Sequence, residues 1–139
     1  MGNGVFYQCA ALSTAYFKGD EPVFVNSNPF DGPIFPSSFT TLYYLPGSTG
    51  WGPTYGGEPT QVWIPQIQTS NGDFGIQGNP FGFDINWASG TTVVVEACAD
   101  LLNPVWLPIQ TILMTSSTVR FTDLQWTTYP SRCYRVRSQ

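Results

Sequence analysis

Residues 81–98 read FGFDINWASGTTVVVEAC and carry the strongest structural signal in the chain. Apolar side chains recur at every second position on both sides of the central Ala-Ser-Gly, which is typical of two β-strands with one buried face. With Gly90 in the left-handed conformation of a three-residue loop, this pattern predicts an antiparallel hairpin. The expected cross-strand partners are Trp87 with Thr91, Ile85 with Val93, Phe83 with Val95, and Phe81 with Ala97.

The alternation also predicts which of these side chains form the core. Full burial of a large apolar side chain stabilises a fold by about 1.5–3 kcal/mol. The face expected to be buried carries Phe81, Phe83, Ile85, Val93 and Val95. The opposite face, which is expected to point outwards, carries Gly82, Asp84, Asn86, Thr92, Val94, Glu96 and Cys98.

The last predicted strand, Cys133–Arg137, fits beside Thr91–Cys98 in one antiparallel register, with Tyr134 and Val136 pointing inwards. The partners are then Cys98 with Cys133, Glu96 with Arg135, and Val94 with Arg137. This single register brings together two cysteines and an acid with a base, which supports it. The two cysteines either form a disulfide bridge or remain separate thiols, and the residues leave both alternatives open.

The whole chain shows the same period of two, and 14 Gly and 12 Pro punctuate it. These features predict an all-β fold. We place a domain boundary near Pro65, with one domain over residues 1–65 and a second over residues 66–139. The predicted strands are Ser13–Phe17, Thr40–Leu45, Val62–Ile64, Phe81–Trp87, Thr91–Cys98, Val105–Leu113, Thr118–Thr122 and Cys133–Arg137.

The composition excludes several classes of function. Histidine is absent and 10% of the residues are charged, which removes most acid–base and metal chemistry near neutral pH. The net charge of −4 argues against nucleic acid, which requires clustered Lys and Arg, and the few arginines are expected to pair with nearby acids. No compact calcium loop is present, and no apolar run approaches the roughly 18 residues of a transmembrane helix. We therefore expect no cofactor, no metal and no membrane insertion.

The low charge and the single lysine are typical of a secreted protein. The first residues lack the basic and apolar regions of a signal peptide, so we expect the chain to be a fragment of a larger protein. We therefore expect an extracellular or cell-surface location for this chain, as part of a larger secreted protein.

Two carboxylates offer the one enzymatic alternative, because glycoside hydrolysis proceeds on a pair of acids without histidine. In the predicted hairpin Asp84 and Glu96 lie on a diagonal of the outward face, about 7–8 Å apart, which suits an inverting pair. The competing interpretation is that Glu96 pairs with Arg135 and Asp84 is solvated. We favour this competing interpretation and expect no enzymatic activity.

The aromatic residues offer the best candidate ligand site. Trp51, Tyr55 and Trp63 lie in or beside the Gly/Pro-rich segment Pro46–Pro59 (PGSTGWGPTYGGEP). Flat rings on a stiffened segment can stack on sugar rings, so these three residues form a candidate ligand-binding platform. The alternative is that the tryptophans cover an open sheet end. Of the neighbours Tyr43 and Tyr44, one is expected to face the core and the other solvent.

The segment Val5–Phe17 (VFYQCAALSTAYF) resembles the repeat of bacterial surface leucine-rich repeat proteins of the BspA-like type. The pattern positions are occupied by Phe6, Cys9, Leu12, Ala15 and Phe17. Segment Thr41–Trp63 is similar to the terminal strand and Trp-containing cap of such arrays, and Phe81–Arg137 resembles an appended β-sandwich module. The resemblance implies a leucine-rich-repeat-like remnant and cap followed by an immunoglobulin-like antiparallel β-sandwich. It also implies that Cys9 is a buried, structural side chain at the repeat turn.

The sequence thus predicts a non-catalytic extracellular binding module, with carbohydrate as the expected ligand. The alternative is a structural or adhesive protein–protein interaction module of a surface repeat protein. A two-carboxylate glycoside hydrolase is the weaker alternative. Exposed rows of rings favour the first interpretation, and an unpaired strand edge with buried aromatics favours the second.

Overall fold

The computed structural model describes residues 6, 9–23, 35, 41–76 and 80–139 of the chain. Within these residues the fold is all-β, as predicted, and the one helical element is a short 3-10 helix at Trp126–Thr128. The chain divides into two compact units, Met1–Trp63 and Ile64–Gln139, which we call the N-terminal and C-terminal units.

The N-terminal unit contains one four-stranded sheet. Its strands are β1 (Thr14–Phe17), β2 (Thr41–Tyr44), β3 (Thr54–Tyr55) and β4 (Glu58–Val62). They lie in the order β1-β2-β4-β3, in which β1, β2 and β4 are parallel and β3 is antiparallel to β4. The Gly/Pro-rich segment Pro46–Pro59 contains β3 and the start of β4. The strand predicted at Val62–Ile64 overlaps β4 only at Val62, where β4 ends.

The core of the N-terminal unit lies on one face of this sheet. Leu42 of β2 is fully buried, and Phe35 and Tyr55 are each 2% exposed beside it. The residues that pack around these three are Phe6, Leu12, Ala15, Phe17 and Trp51. Cys9 lies in a turn, where its amide donates to Phe6 O and its carbonyl accepts from Leu12 N. Its side chain is exposed, so the expected burial of Cys9 is wrong.

The C-terminal unit contains two sheets. The strands are β5 (Gln66–Gln68), β6 (Gly75–Ile76), β7 (Phe81–Asn86), β8 (Thr92–Cys98), β9 (Leu107–Leu113), β10 (Thr118–Asp123) and β11 (Cys133–Ser138). One sheet has the order β10-β7-β5, with β6 also paired to β7, and we call it the β7 sheet. The other has the order β11-β8-β9, and we call it the β8 sheet. All of their pairings are antiparallel.

The two sheets pack face to face through aromatic rings. Tyr134 of β11 stacks on Phe81 of β7, with ring centroids 5.0 Å apart, and it also contacts Phe83 and Phe121. Phe83, Ile85, Val93 and Val95 are fully buried, whereas Phe81 is partly buried. The set of core residues predicted from the alternation is therefore confirmed, with Phe81 at the margin of the core.

The predicted hairpin pairing of β7 with β8 is wrong. β7 pairs with β10, β5 and β6, whereas β8 pairs with β11 and β9. Gly90 does adopt a left-handed conformation (φ +84°), but the turn carries the chain from one sheet to the other. The Gly90 amide donates to Met114 O at 2.7 Å, and Met114 N donates to Thr91 O at 2.9 Å. Backbone groups beside the turn are thus satisfied by the segment after β9 rather than by a partner strand of a hairpin.

The predicted register of β8 with β11 is confirmed. Cys98 lies opposite Cys133, Glu96 opposite Arg135, and Val94 opposite Arg137. The outward side of β8 is nevertheless buried, because Val94, Glu96 and Cys98 are all at most 5% exposed. Trp106, just before β9, reaches across β8 to Arg135 on β11, where the guanidinium carbon lies 4.5 Å from the ring centroid. Arg135 of β11 and Trp106, which precedes β9, therefore cover the outer side of β8.

Candidate functional site

Residues alternate between the two faces of the parallel strands in the N-terminal unit. Ala15 pairs with Leu42 on the core face, and Tyr16 pairs with Tyr43 on the opposite face. Tyr43 in turn lies opposite Gln61 of β4. Because directly paired residues in neighbouring strands share a face, the three strands carry Tyr16, Tyr43 and Gln61 as one row on their outer side.

An aromatic cluster forms on this outer side. Tyr16 stacks on Tyr43 with ring centroids 5.1 Å apart and an angle of 16° between the ring planes. Trp63, the residue directly after β4, lies 4.6 Å from Tyr16 with its ring tilted by 51°. Tyr16 is 54% exposed, and Tyr43 and Trp63 are half-buried. We call Tyr16, Tyr43 and Trp63 the outer aromatic cluster.

The residues that the strands place around the outer aromatic cluster are polar and uncharged. Gln61 is exposed beside Tyr43, and its amide carries both donors and an acceptor. Thr14 and Thr41 pair with each other on the same face, two residues before Tyr16 and Tyr43 in their strands. Rings, hydroxyls and an amide are therefore presented together, which suits a neutral ligand with an apolar face and hydroxyl groups.

The sequence-predicted platform of Trp51, Tyr55 and Trp63 is divided between the two sides of the sheet. Trp51 stacks on Tyr44, with ring planes 2° apart and centroids 5.1 Å apart. Its indole N–H donates to Gly19 O at 3.1 Å. Because these contacts lie on the core face, Trp51 packs in the interior cluster, and only Trp63 belongs to the outer aromatic cluster.

Tyr55 is likewise a core residue rather than a ligand residue. Its side chain is 2% exposed, its ring packs edge-on against Trp51, and its hydroxyl donates to Pro22 O at 2.8 Å. Burial, with a smaller contribution from the negative charge of Glu21, raises the pKa of the Tyr55 hydroxyl. The prediction that Tyr55 and Trp51 form a ligand platform is therefore not supported by their positions.

Sequence reasoning missed Tyr16 and assigned no site role to Tyr43. The prediction that one of Tyr43 and Tyr44 faces the core and the other solvent is confirmed, because Tyr44 stacks on Trp51 and Tyr43 lies outside. The local signal for Tyr16 was its alternation with Ala15 and Phe17 in β1. Its proximity to Tyr43 and Trp63 depends on parallel pairing between distant segments. No local pattern predicts this pairing.

The carboxylates Asp84 and Glu96 do not form a catalytic pair. The two residues lie on the outer sides of different sheets, because β7 and β8 are not paired. The expectation that Asp84 is solvated is wrong, because its side chain is 18% exposed and accepts from Arg120 Nη1 at 3.2 Å and from Asn71 Nδ2 at 2.8 Å. The diagonal geometry expected for an inverting glycosidase is therefore absent.

Glu96 is held between two arginines. Arg135 Nε donates to Oε2 at 2.7 Å, and Arg137 Nε donates to Oε1 at 2.8 Å. The hydrogen bonds from Arg137 and Arg135 hold the pKa of Glu96 below its ordinary value. The expected pairing of Glu96 with Arg135 is confirmed, and Arg137 adds a second ion pair.

A second ionic cluster is buried at the end of β10. Asp123 accepts from Arg132 Nη1 at 2.7 Å and from the Tyr134 hydroxyl at 2.8 Å. Burial and the hydrogen bond to Asp123 raise the pKa of Tyr134 strongly. With Arg120, Arg135 and Arg137 paired as well, each of the four arginines is in an ion pair with an acid.

Arg132 lines a cavity of about 430 Å³ in the C-terminal unit. One wall is formed by Leu107, Pro108 and Ile109 of β9, and another by the segment that follows Cys98. The guanidinium of Arg132 is covered by the Tyr129 ring at 4.1 Å and neutralised by Asp123. Since its charge is compensated within the protein, Arg132 gives this cavity no unpaired cation for an anionic ligand.

Cys98 and Cys133 are adjacent in the β8–β11 pairing, and both are free thiols in this structure. Over the described ranges, no three His, Cys, Asp or Glu residues gather where a metal ion would bind. In the same part of the chain, no helix has the length and apolar character needed to cross a membrane.

Comparison with protein-family models, with curated proteins and with solved structures found no match to this chain.

Proposed function

We propose that this protein is a non-catalytic extracellular binding module that recognises a neutral glycan through the outer aromatic cluster. The observation that carries this proposal is the uncharged row of Tyr16, Tyr43 and Gln61, with Trp63 beside it, on the outer side of the parallel sheet. Exposed apolar groups that are rimmed by polar ones mark interaction surfaces.

The chemistry of this surface matches that of a sugar. A pyranose ring has a face of C–H groups, which packs on aromatic rings, and a rim of hydroxyl groups. The exposed ring of Tyr16 can receive such a face. The Gln61 amide and the tyrosine hydroxyls are donors and acceptors for the rim. Affinity should depend little on salt, because contacts of rings, hydroxyls and an amide with a neutral sugar form no ion pair.

The extracellular location is part of the same proposal. It is supported by the single lysine and by the low fraction of charged residues in the chain. We also propose that the parallel strands of the N-terminal unit are a leucine-rich-repeat-like remnant with its cap, as in BspA-like surface proteins. The face-to-face sheets of the C-terminal unit are then an immunoglobulin-like β-sandwich, and the chain is part of a larger secreted protein.

The test is retention of the full chain on a panel of neutral polysaccharides, soluble and insoluble, at low and high salt. Tyr16→Ala should lower the affinity on the order of tenfold, which corresponds to about 1.4 kcal/mol of stacking. Tyr16→Phe keeps the ring and should retain most of the affinity. Phe74→Ala is the matched control, because Phe74 is an aromatic residue of the C-terminal unit with 44% exposure.

Two results would overturn the glycan proposal. One is the absence of binding to every polysaccharide in the panel. The other is equal retention of the wild-type chain and the Tyr16→Ala variant.

A second candidate function, an adhesive protein–protein contact, is favoured by the edge strand β9. This strand ends the order β11-β8-β9, and its sequence LPIQTIL carries no charge. Leu107 and Leu113 are 60% and 58% exposed. An uncharged edge strand invites addition of another extended strand, and the self-complementary choice is β9 of a second copy.

Sedimentation of the full chain over a range of concentrations tests this candidate. Self-association that Leu113→Lys abolishes would support strand addition, because a lysine on an edge strand opposes it. A chain that stays monomeric at every concentration would eliminate pairing between copies.

A further inference from the structure

Cys98 and Cys133 occupy matching positions at the ends of their strands. Cys98 is the last residue of β8, Cys133 is the first residue of β11, and the two are direct antiparallel partners. Each therefore adjoins a connecting segment rather than the middle of a strand, so a small backbone shift at this pair disturbs few ladder hydrogen bonds.

Direct partnership sets the separation of the two residues. Opposite residues in an antiparallel pair have Cα atoms about 4.5 or 5.5 Å apart, depending on the type of pair. Both values fall within the roughly 4.4–6.8 Å range over which a disulfide joins two Cα positions. The two thiols can therefore be bridged without rearrangement of the sheet.

The two thiols differ in their surroundings. Cys98 is 3% exposed, and its Sγ donates to Asp100 O at 3.0 Å. Cys133 is half-buried and is thus the more accessible of the two. The Asp100 carboxylate accepts from Leu102 N at 2.8 Å and from Asn103 Nδ2 at 3.4 Å. The thiol of Cys98 thus helps to hold residues 99–103, several of which line the cavity beside β9.

We propose that Cys98 and Cys133 are a redox modification site, at which a small disulfide such as oxidised glutathione converts the pair to a cross-strand bridge. Bridge formation removes the S–H group that bonds Asp100 O, and it thereby loosens the segment 99–103 at the cavity. The site is independent of the outer aromatic cluster, which lies in the other unit.

The reaction proceeds by two thiol–disulfide exchanges. The Cys133 thiolate attacks one sulfur of oxidised glutathione, the S–S bond of glutathione breaks, and one glutathione thiolate leaves. The Cys98 thiolate then attacks the Cys133 sulfur, forms the protein disulfide and expels the second glutathione thiolate. The two protons of the protein thiols pass through solvent to the two departing thiolates. Two protein thiols are oxidised and one glutathione disulfide is reduced.

The experiment uses the full chain carrying Cys9→Ser, which removes the exposed third thiol, under native conditions with oxidised glutathione. Non-reducing peptide mapping should show Cys98 joined to Cys133, with no glutathione retained. The oxidised chain should melt several degrees higher than the reduced chain, because a bridge restricts the unfolded state. Hydrogen exchange of residues 99–103 should become faster despite the higher melting temperature.

The matched control is Cys9→Ser with Cys133→Ser, which alters a half-buried position and retains the buried Cys98. In this variant Cys98 should stay reduced while the protein is folded, as monitored by near-ultraviolet circular dichroism. Stable glutathione on Cys133 with a reduced Cys98 would overturn the proposal, as would two thiols that stay reduced in the folded chain. A bridge without faster exchange at residues 99–103 would overturn the link to the cavity segment.

Discussion

The two units differ in the side chains that lie on the outer sides of their sheets. In the C-terminal unit the outer groups are ion pairs, in which Glu96 is shared by Arg135 and Arg137 and Asp84 is bonded by Arg120. In the N-terminal unit the outer groups are Tyr16, Tyr43, Gln61 and Trp63.

This difference concerns which groups remain available to a ligand. These carboxylates and guanidiniums of the C-terminal unit already satisfy one another, so they are less available to a ligand. Tyrosine hydroxyls and a glutamine amide replace hydrogen bonds to water by hydrogen bonds to a ligand at little cost in free energy. Contact of the rings with an apolar face of the ligand stabilises the complex. This difference supports the proposal that glycan recognition takes place in the N-terminal unit, and it indicates that the paired outer charges of the C-terminal unit serve its own structure.

The largest expected effect on the free energy of unfolding tests whether the two sheets of the C-terminal unit pack on a common core. Phe83→Ala should reduce the free energy of unfolding by about 3–5 kcal/mol, because Phe83 is fully buried and the change leaves a cavity. Denaturant melts measure this loss. Phe74→Ala, which removes a partly exposed ring in contact with Phe83, is the matched control and should cost far less. A loss below about 1 kcal/mol for Phe83→Ala would refute the packing of the two sheets.

The next largest effect distinguishes the core face of the N-terminal sheet from its outer face by their contributions to stability. Trp51→Ala should reduce the free energy of unfolding of this unit by about 3 kcal/mol, since the indole packs on Tyr44, Phe17 and Tyr55. Trp63→Ala, on the outer side, should cost about 1 kcal/mol or less and should instead weaken glycan binding. Equal losses of stability in thermal or denaturant melts would remove the distinction between the core face and the outer face.

A smaller effect concerns Tyr134, a half-buried tyrosine of the C-terminal unit. The Tyr134 hydroxyl donates to the Asp123 carboxylate, so Tyr134→Phe should cost about 1.5–3 kcal/mol at neutral pH. The pKa of Tyr134 is raised in the folded state. Its stabilising contribution is therefore fully present below the ordinary tyrosine pKa of about 10 and is lost as the pH rises towards the folded value.

Melts of the wild-type chain and of Tyr134→Phe at a series of alkaline pH values test the direction of this pH dependence. The two curves should converge as the pH rises above about 10. A wild-type advantage that grows with alkaline pH would contradict the neutral, hydrogen-bonded state of this hydroxyl.

The smallest effect is expected at the ion pairs on the outer side of the C-terminal unit. Glu96→Gln removes the charge shared by Arg135 and Arg137, whose side chains are both 49% exposed and thus screened by water and salt. The pKa of Glu96 is lowered in the folded state, so its contribution is present above the ordinary glutamate pKa of about 4.3. It is lost as the pH falls through the lower folded value.

Acid titration of stability in the wild-type chain and Glu96→Gln measures this contribution. The small wild-type advantage at neutral pH should vanish in strong acid and shrink in high salt. An advantage that persists in strong acid would show that Glu96 stabilises the fold by packing rather than by charge.

Local alternation alone determined the all-β class, the positions of most strands, and the burial of Phe83, Ile85, Val93 and Val95. These features follow from the period of two in a strand, which assigns each side chain to one face of its own backbone. The β8–β11 register was predicted from side-chain chemistry instead, because the antiparallel register that pairs Cys98 with Cys133 also pairs Glu96 with Arg135.

Tertiary structure decided how the strands are combined. A hairpin and a turn between facing sheets bury the same alternate residues, so the pattern in residues 81–98 is equally compatible with both arrangements. The position of Met114 and the pairing of β10 with β7 and of β11 with β8 select the second arrangement. The pairing of β1, β2 and β4 likewise brings Tyr16 to Tyr43 and Trp63, and it leaves Trp51 and Tyr55 in the core. Contacts between segments far apart in the chain depend on the packing of the whole unit, and the local period of a strand contains no information about its neighbours.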